Sequence, residues 1–162
     1  MHYYQQIFAN LQQTDPAQAE ALEEEVNIMI HKLKFLPSEN FPHIMLLRQS
    51  EGLDVEANES LIDKVRIAGG HYSTDKANAQ VLVILKEDES LYSVLPAILD
   101  SDSIQNTPAY RDNKVFIIET SDFGDDQHFL RDIEILAEIM QPKYFYFGHE
   151  GEAWTKFDLV HS

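Results

Sequence analysis

The sequence predicts an α/β fold: a mostly parallel sheet with helices on both faces, preceded by a long helix and ending in a β-hairpin. Three observations lead there. Short unbroken apolar runs at 44–47, 81–85 and 115–118 read as strands buried on both faces. Amphipathic stretches at helical spacing alternate with them, which implies βαβ crossovers and a parallel sheet. The 162 residues suit a single domain, large enough to bury a core without staples.

Tyr4, Ile7, Phe8 and Leu11 sit at helical spacing, and Thr14-Asp15-Pro16 marks a stop and a new start. Asp15 can cap the orphan amides of the next helix, Pro16 suits its first position, and Gln18 falls where a capping box wants an amide. The long helix that follows has the stripe Leu22, Val26, Met29, Ile30, Leu33 and Leu36. Glu23, Glu24 and Glu25 lie early and His31, Lys32 and Lys34 late, as the helix dipole prefers. This helical part spans residues 1–36, and an α/β core follows over 43–145.

In the core, Pro37 and Pro42 bracket a loop before the first strand, and a polar loop at 48–52 leaves it. Leu61, Ile62, Val65 and Ala68 define a helix that Gly69 can close in the left-handed conformation. After the second strand, an apolar pattern between Ser90 and Asp100 predicts a helix, and Pro96 within it calls for a kink or a later start. A polar turn at 108–114 precedes the third strand. The polar loop 119–127 then leads into a helix whose buried side is Phe129, Leu130, Ile133, Leu136, Ala137 and Met140. Residues 143–147 and 153–157 flank a glycine-containing turn and predict a terminal hairpin over 143–158. Its aromatics either cover one end of the core or form a surface for self-association.

Composition narrows the function. Twenty-eight acidic residues against twelve basic ones give a net charge of −16, which repels nucleic acid and anionic lipid surfaces. No apolar run approaches the roughly 20 residues a membrane span needs. The absence of cysteine removes disulfides, thiolate metal sites and cysteine nucleophiles. The start of the chain lacks the basic and apolar regions of a secretory signal, so a cytoplasmic location is expected. No phosphate-binding glycine loop, HExxH helix or nucleophile elbow is present, so no catalytic residue, cofactor or enzymatic activity is expected.

The stretch Pro108-Ala109-Tyr110-Arg111-Asp112-Asn113-Lys114 followed by Val115-Phe116-Ile117-Ile118 resembles a phrase of the C-terminal lobe of one family. This is the helical-backbone periplasmic substrate-binding proteins, which deliver iron-siderophores, haem, cobalamin or metal ions to ABC importers. The helix 61–68 ending in Ala68-Gly69-Gly70, the strand within 79–84, the end of a lobe-linking helix at 17–36 and a first strand at 43–47 are similar to that lobe in order and spacing. The resemblance covers about 5–145. A full member clamps its ligand between two lobes, and 162 residues beginning near the linking helix leave no room for the N-terminal one.

Ligands of open α/β sheets bind at the carboxyl ends of the strands. The loops 48–52, 86–89 and 119–128 should gather there, and the resemblance implies that this edge faced the ligand cleft. The candidate ligand-binding residues are Arg48, Glu51, Tyr72, Glu119, Asp122, Phe123 and His128. Arginine suits anionic groups of a siderophore by bidentate hydrogen bonding, and an aromatic ring can stack on a planar ligand. Asp122, Asp125, Asp126 and His128 form the densest group of metal-ligating types, but acids there equally suit a helix start, and no metal site is assigned. The resulting expectation is a single-lobe binding domain for a metal-chelate or cobalamin-like ligand, or a vestige of one. A homodimer or a separate partner lobe would supply the missing wall. The alternatives are an interaction domain that has lost its ligand and, further off, a small carboxylate- or metal-dependent hydrolase.

Overall fold

The computed structural model describes residues 2–49, 54–55 and 58–159, with the backbone alone at 54–55. Two helices, α1 (His2–Thr14) and α2 (Pro16–Leu33), precede the sheet. The sheet strands are β1 (His43–Arg48), β2 (Asp54–Val55), β3 (His71–Tyr72), β4 (Val81–Leu85), β5 (Val115–Ile118) and β6 (Trp154–Phe157). Between them run α3 (Glu59–Ile67), α4 (Leu91–Leu99), α5 (Asp102–Gln105), α6 (Pro108–Arg111) and α7 (Phe129–Met140). The order across the sheet is β2-β1-β4-β5-β6, with β3 pairing β1 beside β2. β1, β3, β4 and β5 are parallel; β2 and β6 are antiparallel additions.

Strand alternation sorts the core into two layers. Ile44, Leu46, Val81, Val83, Phe116 and Ile118 pack with α1, α2, α3 and α7. Met45, Leu47, Leu82, Ile84, Val115 and Ile117 pack with α4, α5 and α6. Helices therefore cover both faces, as the apolar runs predicted.

Local chemistry sets the ends of the elements. The Asp15 carboxylate accepts from the Gln18 amide at 3.2 Å and Pro16 opens α2. Gly69 ends α3 at φ +97°, and a side chain on Gly70 would place its Cβ 2.3 Å from the Met140 sulfur. Gln141 locks this joint by donating to the carbonyls of Gly69 and Asn40 at 2.9 and 3.0 Å.

α3 carries the charges that hold the layer together. Asp63 accepts from the Tyr4 amide at 2.9 Å, satisfying an orphan donor at the start of α1. Lys64 turns instead to α7. Its ammonium donates to Asp132 at 2.8 Å, both side chains are wholly buried, and the rings of Phe123 and Phe129 lie 5.4 and 5.2 Å from it. Asp132 also accepts from the Gly124 amide at 2.9 Å and from Arg131 at 3.2 Å. One carboxylate thus ties α3, α7 and the loop after β5.

Three details differ from the sequence reading. α4 starts at Leu91 and continues through Pro96; its first turn winds on i−3 hydrogen bonds, and burial of Leu91, Leu95 and Leu99 offsets the proline. The polar turn at 108–114 contains the short helix α6, because Thr107 caps the Tyr110 amide at 3.1 Å and Pro108 fits the first helical position. The terminal antiparallel ladder is made by β6 with β5, whereas 143–147 runs as turn and coil. Glu138 explains the last point. Its carboxylate accepts from the amides of Phe147, Gly148 and His149 at 2.7, 3.0 and 3.2 Å and from the Trp154 indole at 3.1 Å, and the Gln141 carbonyl accepts from the amides of Tyr144 and Phe145, so the segment has partners other than a strand.

Removing one member of the buried pair strands the other's charge, so Lys64→Met is expected to lower the unfolding free energy in urea by roughly 3–5 kcal/mol. The double variant Lys64→Met/Asp132→Asn should recover part of that loss. Burial pushes the Glu138 carboxyl up, but its four hydrogen bonds outweigh burial and hold it below the ordinary 4.5. Its stabilising contribution is complete above 4.5 and is lost as pH falls through the lower folded value. Melting temperatures recorded across that acid window should fall less steeply for Glu138→Gln than for the parent.

Candidate functional site at the carboxyl edge

β1, β4 and β5 end level with one another, since Arg48 registers with Leu85 and Leu85 with Ile118. This brings Arg48, the loop 86–89 and Glu119 to one edge, as expected from the strand order. Arg48 pairs with Glu87 at 3.1 Å. Gln49 threads the same loop, accepting from the Glu87 and Asp88 amides and donating to Asp88 and Ser90.

Glu119 is the centre of the second half of the edge. Its carboxylate accepts from Lys86 at 3.1 Å, from the Tyr92 hydroxyl at 2.6 and 2.8 Å, and from Thr155 at 3.5 Å. Burial raises the Glu119 carboxyl, but the hydrogen bonds from Tyr92 and Lys86 prevail and lower it. Hydrogen bonding to Glu89 raises the Lys86 ammonium, opposed by burial and helped by Glu119. Tyr92 is pushed up to about 12 by burial and by its bond to Glu119. Four side chains from α4, β6 and two strand ends therefore share one charge-assisted network.

The remaining candidates scatter. Asp122 bridges His128 at 3.1 Å and Arg131 at 3.0 Å. Arg131 holds its carboxyl below the ordinary range despite burial, helped by the charge of His128. Phe123 faces inward, 8% exposed, against Lys64, so its ring lies in the core rather than open to a planar ligand. Tyr72 registers with Ile44 at the amino end of β1, at the opposite end of that strand from Arg48. Glu51 lies outside the described residues. The acids of the 122–128 loop do not converge: Asp126 accepts from the Tyr3 hydroxyl at 2.9 Å, and no group of three metal-ligating side chains comes together among the described residues. Neither the short 3₁₀ turn at Asp126–His128 nor α7 has a side-chain cap, and Asp122 and Asp126 bond other side chains instead.

Sequence reasoning missed Tyr92, Thr155 and Arg131. A tyrosine one turn into an apolar helix gives no local sign that its hydroxyl reaches the next strand end. The pairing of Lys86 with Glu89 had a signal in its three-residue spacing.

No family model matches this chain, and no curated protein matches it. Solved structures do. An ABC transporter solute-binding protein from Sulfurospirillum deleyianum aligns over 88% of this chain and 52% of its own, with a TM-score of 0.55 and 13% identity. CeuE of Helicobacter pylori, solved as a nickel–histidine complex, aligns over 87% and 52% with a TM-score of 0.60 and 13% identity. The periplasmic haem-binding protein RhuT from Roseiflexus aligns over 86% and 61% with a TM-score of 0.51 and 22% identity. The chain spans about half to three-fifths of the length of these proteins and shares with them the fold, as a single lobe does.

Replacing Glu119 by glutamine removes the charge that holds the Tyr92 proton. The hydroxyl should then titrate below about 12, closer to the ordinary 10.0, in tyrosine-selective carbon NMR.

Proposed function

We propose that this chain is a single-lobe, substrate-binding-protein-like domain that holds a small ligand by non-covalent contacts along the carboxyl edge of its parallel strands. The observation that carries the reading is the convergence of Arg48, Lys86, Glu119 and Tyr92 from adjacent strand ends and the first turn of α4. This is where open sheets present polar groups to ligands. The solved neighbours are binding proteins rather than enzymes; one is a haem-binding protein, solved in its apo form, and another was solved with nickel–histidine.

The ligand class proposed is a metal chelate: a ferric siderophore, haem or a cobalamin. Charge refines the choice. Arg48 and Lys86 meet four carboxylates, Glu87, Asp88, Glu89 and Glu119, and both cations are already paired. Such an edge favours a neutral or cationic chelate over an anionic one, which would face net repulsion and have to break existing ion pairs. A second copy of the chain, or a separate lobe, would provide the opposite wall.

One observation favours a second reading, an association domain without a ligand. Phe35 and Tyr146 are 82% and 86% exposed, and Ile28, Ile30 and Tyr144 are also open to solvent. The aromatic tail divides accordingly, Phe145 and Trp154 covering the core while Tyr144 and Tyr146 face outward.

Native mass spectrometry with ferric siderophore, haem and cobalamin tests both. A one-to-one or two-to-two adduct that weakens at least about tenfold in Glu119→Gln is expected. Dimers with no adduct from any compound would favour association, and a bare monomer throughout would remove the binding reading.

A further inference from the structure

A second site lies at the other end of the strands. Between the C-terminal half of α7 and the outer part of the sheet is a cavity of about 330 Å³, lined by Phe116, Trp154, Met140, Lys114, Lys156 and Glu150, among others. That volume is at the small end of what ligand pockets offer. Phe116 and Trp154 meet edge to face with ring centroids 5.8 Å apart. The indole is fixed by its bond to Glu138, so this wall is preformed.

Two lysines lie on its rim. Lys156 registers opposite Phe116, and Lys114 precedes Phe116 by two residues and so shares its face. The two lysines thus occupy diagonal positions, roughly 7–8 Å apart at the sheet. Both are exposed, and neither takes part in an ion pair or side-chain hydrogen bond among the described residues. By contrast Arg48, Lys64, Lys86 and Arg131 are each bound to a carboxylate. Two neighbouring cations repel each other, and an anion between them relieves that repulsion.

We infer that this cavity binds a small aromatic carboxylate, its ring against Phe116 and Trp154 and its carboxylate between Lys114 and Lys156. Glu150 adds a negative charge at the rim, suited to an amino group on the same molecule, while the second lining carboxylate, Glu138, is taken up by its own four hydrogen bonds. The shared chemistry is a ring bearing a carboxylate, with or without that amine.

Trp154 is the sole tryptophan and lines this cavity, so its fluorescence responds to a ligand there. The protein is titrated at low salt with phenylacetate, phenylalanine and the neutral phenylacetamide. A saturable change is expected with phenylacetate or phenylalanine, about tenfold weaker with phenylacetamide and about tenfold weaker in Lys114→Gln/Lys156→Gln. Raising the ionic strength should weaken it further. Tighter binding of phenylalanine than of phenylacetate assigns the amine to Glu150; the reverse order leaves a plain carboxylate, and both uphold the site. The inference is overturned if neither carboxylate gives a saturable change, or if phenylacetamide binds as well as phenylacetate. Equal affinity in a folded double variant overturns it too; should that variant not fold, the amide comparison on the parent protein decides.

Discussion

The contact between Lys64 and Asp132 is the constraint on which the rest of this molecule depends. An ammonium and a carboxylate without solvent exposure persist only when their remaining hydrogen-bonding capacity is met, and here the partners that meet it are structural. Asp132 takes the Gly124 amide, which fixes the loop leaving β5, and Lys64 lies between two phenylalanine rings that seal it from water. The adjacent Asp63 holds the start of α1. Consecutive residues of one short helix thus orient the N-terminal helices on one side and the loop bearing Asp122 on the other.

Much of the architecture was legible. The runs 81–85 and 115–118 coincide with β4 and β5, because a strand buried on both faces has no polar positions to blur its ends. The stripe from Phe129 to Met140 coincides with α7 for the complementary reason, a single periodic face. What escaped the sequence was long-range. Asp63 and Lys64 look like the solvated side of an amphipathic helix, yet α1 and α7 bury both, and nothing within α3 encodes those neighbours. The aromatic run at 143–147 has strand propensity, but the Gln141 carbonyl takes the amides of Tyr144 and Phe145 and the Glu138 carboxylate takes that of Phe147.

The candidate site was legible in place and less so in detail. Strand order located Arg48 and Glu119 on the same edge, since parallel strands must end together. Periodicity along the chain could not tell that Tyr92 reaches Glu119 from a helix, or that Phe123 turns into the core. Both cations of this edge are paired with carboxylates, whereas Lys114 and Lys156 have no ion-pair partner among the described residues.

The close approach of Gly70 to Met140 has a chemical corollary. A chain without thiols must take oxidative attack on other sulfur, and Met140 is pressed against a backbone with no side chain in between. A sulfoxide would put a polar, hydrated group where the apolar thioether now packs. Oxidation of Met140 would thereby loosen the contact between the Gly69–Gly70 turn and the end of α7.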